Sequence, residues 1–233
     1  MRCYRFVLSL AALFLASGTI QAQPTPPTVR VANRPIPPPG PAEHLVQAKP
    51  VADAALGTFK RMVTPQNFGR MGFALVGDVQ RATLGEPMFD FLVRLDELAR
   101  YQPGTNPNSL VKRTNELKYP VLVDGAVRSL ISVALVNNVW KATSYGAPRL
   151  ARFIDAARAA KMAELGRAAS TFFVVRVPAL KVILLGHTDG GALFLTPIIE
   201  DARVGFQAGG TLAAADAFSR LLPLATTHDG SPG

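Results

Sequence analysis

The chain has 233 residues, with 25 Lys and Arg against 16 Asp and Glu, one cysteine and 48% hydrophobic residues. That length and apolar content support a real core, and with only 18% of residues charged they exclude a disordered chain. A lone cysteine excludes an intramolecular disulfide framework and any multi-cysteine zinc or iron–sulfur site.

Residues 1–22 have the three parts of a secretory signal. Arg2 and Arg5 precede an apolar run from Phe6 to Ala16, and Ile20-Gln21-Ala22 offers a small residue before a cut. The run is about half the roughly 20 residues that a membrane span needs. Cleavage after Ala22 is expected to remove Cys3 and leave a net charge of +7. The mature chain then has no cysteine, and no Asn-x-Ser/Thr acceptor occurs anywhere. Without a disulfide the exported chain must be stabilised by packing alone. The missing acceptor fits a bacterial envelope better than a eukaryotic secretory route, and the expected location is periplasmic or secreted in a Gram-negative cell. No later apolar run is long enough to span a membrane.

Eight prolines lie between Pro24 and Pro41, including Pro37-Pro38-Pro39. Such a stretch favours extended polyproline II over helix or ladder. Residues 23–43 are therefore read as a linker, a remnant left by cleavage in preference to a functional spacer. A globular body is expected over 44–226, with possible sub-units 44–167 and 168–226, and a flexible tail over 227–233.

Within the body, Val51, Ala54, Ala55, Phe59 and Met62 recur at helical spacing, and Pro50 suits a first turn, so the pattern predicts a helix over Pro50–Val63. A short helix over Asp78–Leu84, a strand over Met88–Leu95 and a helical turn over Asp96–Arg100 follow. Asp124-Gly125 between β-branched runs is a strong hairpin signal, because both central residues of a type I′ turn need positive φ. Asn137-Asn138 tolerate the same conformation. Tyr119–Tyr145 is thus read as a three-stranded antiparallel meander. A helix over Pro148–Leu165 follows, with Leu150, Phe153, Ile154 and Ala157 on its packing face and Arg152, Asp155 and Arg158 on another. Further strands are expected over Thr171–Val177, Leu180–Leu185 and Ala192–Thr196, and a last helix from a Thr211 cap to Leu222, ended by Pro223. The fold class is α+β: antiparallel sheet with helices packed on one side, and two strands-then-helix units.

Chemistry is less legible. No Gly-x-Ser-x-Gly motif occurs, and the mature chain has no cysteine nucleophile. No P-loop, Gly-x-Gly-x-x-Gly or EF-hand pattern is present, so no cofactor is expected. His187-x-Asp189 in a glycine-rich turn supplies two candidate metal ligands, although turns recruit Asp and Gly for backbone reasons alone. The basic balance points to anionic envelope partners. Arg149, Arg152 and Arg158 form its best candidate surface, on the helix over Pro148–Leu165. Trp140, the only tryptophan, is expected in the core against Phe153 or Ile154; exposed, it would be a binding contact. Nucleic acid is not expected, since the aromatics lack basic interleaving. The leading expectation is an exported, non-catalytic protein that binds another envelope protein or an anionic envelope polymer, as an inhibitor, chaperone-like factor or assembly subunit. The alternative is a metal-assisted envelope hydrolase using His187 and Asp189.

Overall fold

The computed structural model describes residues 40–228. The expected signal, most of the proline-rich linker and residues 229–233 lie outside them. The first helix, α1, is Ala42–Met62, starting eight residues before the predicted Pro50. Pro50 sits inside the helix, where it supplies no N–H to the Val46 carbonyl. Both residues are exposed, so water can satisfy that carbonyl. Ala48, Ala52, Ala55 and Phe59 line the buried stripe.

The predicted helix over Asp78–Leu84 is instead a 3-10 turn, Val76–Arg81, followed by a two-residue strand β1, Thr83–Leu84. Asp78 closes the turn by accepting from the Leu75 N–H at 2.9 Å. Strand β2, Met88–Val93, leads into the short helix α2, Leu95–Ala99. The meander follows as β3, Val111–Val123, β4, Ala126–Val136, and β5, Val139–Gly146.

All four central turn residues have positive φ: Asp124 51°, Gly125 78°, Asn137 51° and Asn138 60°. A Cβ added at Gly125 would meet nothing within 4 Å, so the backbone conformation alone penalises a side chain there. Gly125→Val should cost about 1–3 kcal/mol. An unchanged melting temperature would contradict that expectation.

Helix α3, Pro148–Leu165, has the predicted bounds, with Pro148 in the first turn and Gly166 closing it at φ 62°. Strands β6, Phe173–Val177, β7, Val182–Asp189, β8, Ala192–Pro197, and β9, Leu212–Ala213, precede α4, Ala214–Thr227. Thr211 does not cap α4; its hydroxyl shares a 3.0 Å hydrogen bond with that of Thr196. Nor does Pro223 end the helix. It is exposed, while Leu221 and Ala225 on either side of it are buried and hold the helix to the sheet.

The fold is α+β. One open sheet runs β5-β4-β3-β2-β6-β7-β8-β9, with β1 beside β3. Every pairing is antiparallel except β2–β6, which joins Asp90, Phe91 and Leu92 in parallel to Val174, Val175 and Arg176. Strands β2–β5 are followed by α3 and strands β6–β9 by α4, so strands-then-helix occurs twice within a single sheet. Alternation sends Ile131, Phe173 and Leu184 to one face and Leu130, Val174 and Leu185 to the other. Helices α1, α2 and α4 pack on the first face, as the one-sided arrangement predicts, and α3 takes the second. Among the described residues, no helix is long and apolar enough to cross a membrane.

Candidate functional site

The predicted basic face of α3 is divided by the fold. Arg149 and Arg152 are exposed, whereas Arg158 is buried and donates to the Glu86 carbonyl at 3.1 Å. Burial holds the Arg158 guanidinium below its ordinary pKa, against the opposing pull of Asp155. Lys161 is buried too and pairs with Glu164 at 2.6 Å. Phe153, expected to pack, is instead 37% exposed. The long stems of Arg158 and Lys161 lie in the stripe with Ile154 and Ala157 and fill it as an apolar side chain would.

Trp140 is half-buried, on the opposite face from Phe153 and Ile154. Its partners are on α1: the His44 ring meets it edge-on at 5.3 Å, and its Nε1 donates to Gln47 Oε1 at 3.2 Å. The ring therefore clips the start of α1 to the edge strand β5.

His187 and Asp189 share one side of β7. His187 is buried between Phe172 and Phe194, with ring centroids 5.8 and 5.4 Å away, and its Nδ1 has no hydrogen-bond partner. The Asp189 carboxylate is held by Arg167, which also donates to the Thr188 carbonyl. Neither residue joins a group of three potential metal ligands, and no such group occurs among the described residues.

Burial, and then the positive charge of Arg167, keeps the His187 pKa below its ordinary 6.5, against the opposite effect of Asp189. Folding thus favours the neutral ring. Its contribution to stability is complete above about pH 6.5 and declines below it, by up to about 1.4 kcal/mol per pH unit. Replacing His187 with phenylalanine should flatten the fall in urea midpoint between pH 7.5 and 5.0. Identical pH profiles would sink this assignment.

The most unusual chemistry in the molecule was not predicted. Asp90, on β2, is fully buried and accepts from Arg176 Nε at 2.7 Å and from a terminal nitrogen of the same guanidinium at 2.5 Å. Lys118 stands 3.5 Å from the same carboxylate and 2.7 Å from Glu116, which in turn lies 3.4 Å from Arg176. Thr114 donates to the Asp90 carbonyl at 2.8 Å. Burial pushes the Glu116 carboxyl up, but Lys118, Ser132 and Arg176 together hold it below its usual range. Asp90 raises the Arg176 guanidinium in return. The visible signal in the sequence is a single carboxylate inside Met88-Phe-Asp-Phe-Leu-Val93 and a single guanidinium inside Phe173-Val-Val-Arg-Val177.

This quartet lies on the α3 face, beside the area that the helix covers. There Glu116, Arg176, Leu92, Ala134 and Ile183 are partly exposed. Ile183 also lines a groove of about 280 Å³ with Pro197, Ile199 and Arg203, where Ile199 is 50% exposed. The result is a rigid, charge-balanced patch flanked by apolar side chains.

The chain also contains one Ser-x-x-Lys spacing, Ser109 to Lys112. The serine hydroxyl donates to the Asn106 carbonyl at 2.8 Å, and Lys112 lies 3.5 Å from Glu97, so each is held by a different partner. No protein-family model, curated protein or solved structure matches the chain.

Proposed function

We propose that this is an exported, non-catalytic protein that binds another envelope component through the sheet face beside α3. The observation that carries the reading is the fixed quartet of Asp90, Glu116, Lys118 and Arg176 next to partly exposed Leu92 and Ile183 and the exposed Ile199. Arginine held in a defined orientation among apolar anchors suits protein recognition. Two carboxylates against two cations leave the patch without net charge, which favours a protein partner over an anionic polymer. The alternative, a metal-assisted hydrolase at His187 and Asp189, is weaker, because Arg167 occupies the carboxylate and two aromatic rings enclose the imidazole.

The reading is tested by site-specific photocrosslinking in cells. A benzophenone side chain at Ile183 or Ile199 should give one discrete adduct in the envelope fraction, and one at Arg152 should not. Equal labelling from all three positions, or none from Ile183 and Ile199, would count against this face.

A further inference from the structure

At the end of the sheet that carries the Asp124-Gly125 turn, residues 64–75 connect α1 to the 3-10 turn. Asn67 Nδ2 donates to the Met62 carbonyl at 2.8 Å, and the Phe73 ring lies against that of Phe59. Gly72 has φ 101°, and a Cβ built on it would fall 2.0 Å from the Arg128 carbonyl oxygen and 2.8 Å from Cβ of Pro148. The segment therefore meets β4 and the start of α3 at a point where only glycine fits. Arg81 then ties the 3-10 turn to Asp124 at 2.9 Å.

This packing assembles a positive surface from distant parts of the chain. Arg61, Arg70 and Arg149 are exposed, and Lys60 and Arg128 are partly exposed. Lys60 donates to the Gln80 carbonyl at 2.9 Å and Arg61 to the Thr58 hydroxyl at 3.1 Å, both neutral groups. Among the described residues, none of these cations forms an ion pair. The carboxylates on the 3-10 turn and the hairpin, Asp78 and Asp124, share Arg81. Beside the cations, Ala74-Leu75-Val76-Gly77 is exposed throughout, Leu75 to 66% and Val76 to 40%, and Met62 is 43% exposed. The loop is not slack. Asp78 accepts from the Leu75 N–H at 2.9 Å, and its own N–H donates to the Leu75 carbonyl at 3.1 Å, so a closed turn holds the two apolar side chains in water.

We infer that this surface seats the protein on an anionic lipid membrane, with Leu75 and Val76 entering the headgroup layer and the cations meeting lipid phosphates. Each cation near a charged bilayer contributes ~1 kcal/mol, and the apolar side chains add the free energy of leaving water. A soluble polyanion offers the charge without an apolar layer, and a neutral membrane offers the layer without the charge; an anionic bilayer supplies both. Arg128 stands six residues before Ala134 on β4, about 20 Å at ~3.3 Å per step. Ala134 belongs to the sheet face beside α3, so a seated molecule keeps that face at the far end of the strand from the lipid. The seating stands whether or not a partner binds there.

The test uses the full chain carrying Cys3→Ser and Gly77→Cys, labelled at position 77 with an environment-sensitive dye. A Cβ at Gly77 meets nothing within 4 Å, so the label leaves the loop undisturbed. Vesicles of phosphatidylcholine mixed with phosphatidylglycerol should shift the emission to the blue, and vesicles of phosphatidylcholine alone should not. The same dye introduced through Ile199→Cys should respond to neither. Arg70→Gln and Arg149→Gln should each raise the lipid concentration at half-response by about fivefold. Leu75→Ser together with Val76→Ser should raise it by about tenfold or more. All four positions are exposed, so melting midpoints should stay at the wild-type value. No shift from position 77, an equal shift from position 199, or an equal response to phosphatidylcholine alone would overturn the inference. So would a response that Leu75→Ser with Val76→Ser leaves intact, since a soluble polyanion would then serve as well.

Discussion

Asp90→Asn should be the most damaging single change at the charged patch, costing about 3–5 kcal/mol in urea unfolding. The substitution keeps the shape of the side chain but removes the anion that Arg176 grips with two nitrogens and that Lys118 faces. Two cations then remain near the centre of the sheet, with Glu116 alone to balance them. Lys118 is only 6% exposed and cannot turn to water. The control is Arg100→Ala, which breaks an exposed pair with Asp96 and should change stability by less than about 1 kcal/mol. Comparable losses in the two variants would mean that the quartet contributes no more than a surface pair.

Phe59→Ala should cost a similar amount, about 3–5 kcal/mol, for an apolar reason. Phe59 is completely buried in the last turns of α1, 5.8 Å from Phe73 and stacked on Tyr145 at 6.3 Å. Truncation leaves a void between the helix and the end of β5. Met62→Ala, at a position 43% exposed on the same helix, should cost far less. Denaturant titration separates the two, and equal midpoints would show that α1 is not held by this contact.

The parts of the fold that could be read from the sequence are those fixed by local chemistry. Asp124-Gly125 and Asn137-Asn138 set positive φ regardless of what packs around them, and so the meander is where the pattern placed it. Pro148 and Gly166 bracket α3 in the same way. Prolines misled at Pro50 and Pro223, because a proline costs a helix less when its freed carbonyl faces water and apolar neighbours on both sides are buried. The inner face of α3 was misread because Arg158 and Lys161 pack by their stems, while Phe153 is left outside. The parallel pairing of β2 with β6 joins residues more than eighty positions apart, and nothing local announces it. That pairing creates the charged quartet, so the candidate site was hidden for the same reason. Trp140 shows a further limit: strand alternation could not say which helix would meet it, and α1 begins earlier than its spacing suggested.

The β2–β6 pairing also bears on which strand can complete the sheet at β2. Without β6, β2 would be the outer strand of the β5-β4-β3-β2 half of the sheet, with its free N–H and C=O groups open to another strand. Asp90 points its carboxylate across that edge with no guanidinium to meet it. An inward-facing charge on an exposed strand makes mispairing costly, because an apolar intruder would have to bury it with only Lys118 of β3, 3.5 Å away, to balance it. Only a strand that brings a cation to the matching position relieves the penalty, and Arg176 on β6 does so two residues beyond the pairing of Asp90 with Val174. The ion pair therefore favours β6 over a strand without a cation at this position, which is a password for the β2 edge.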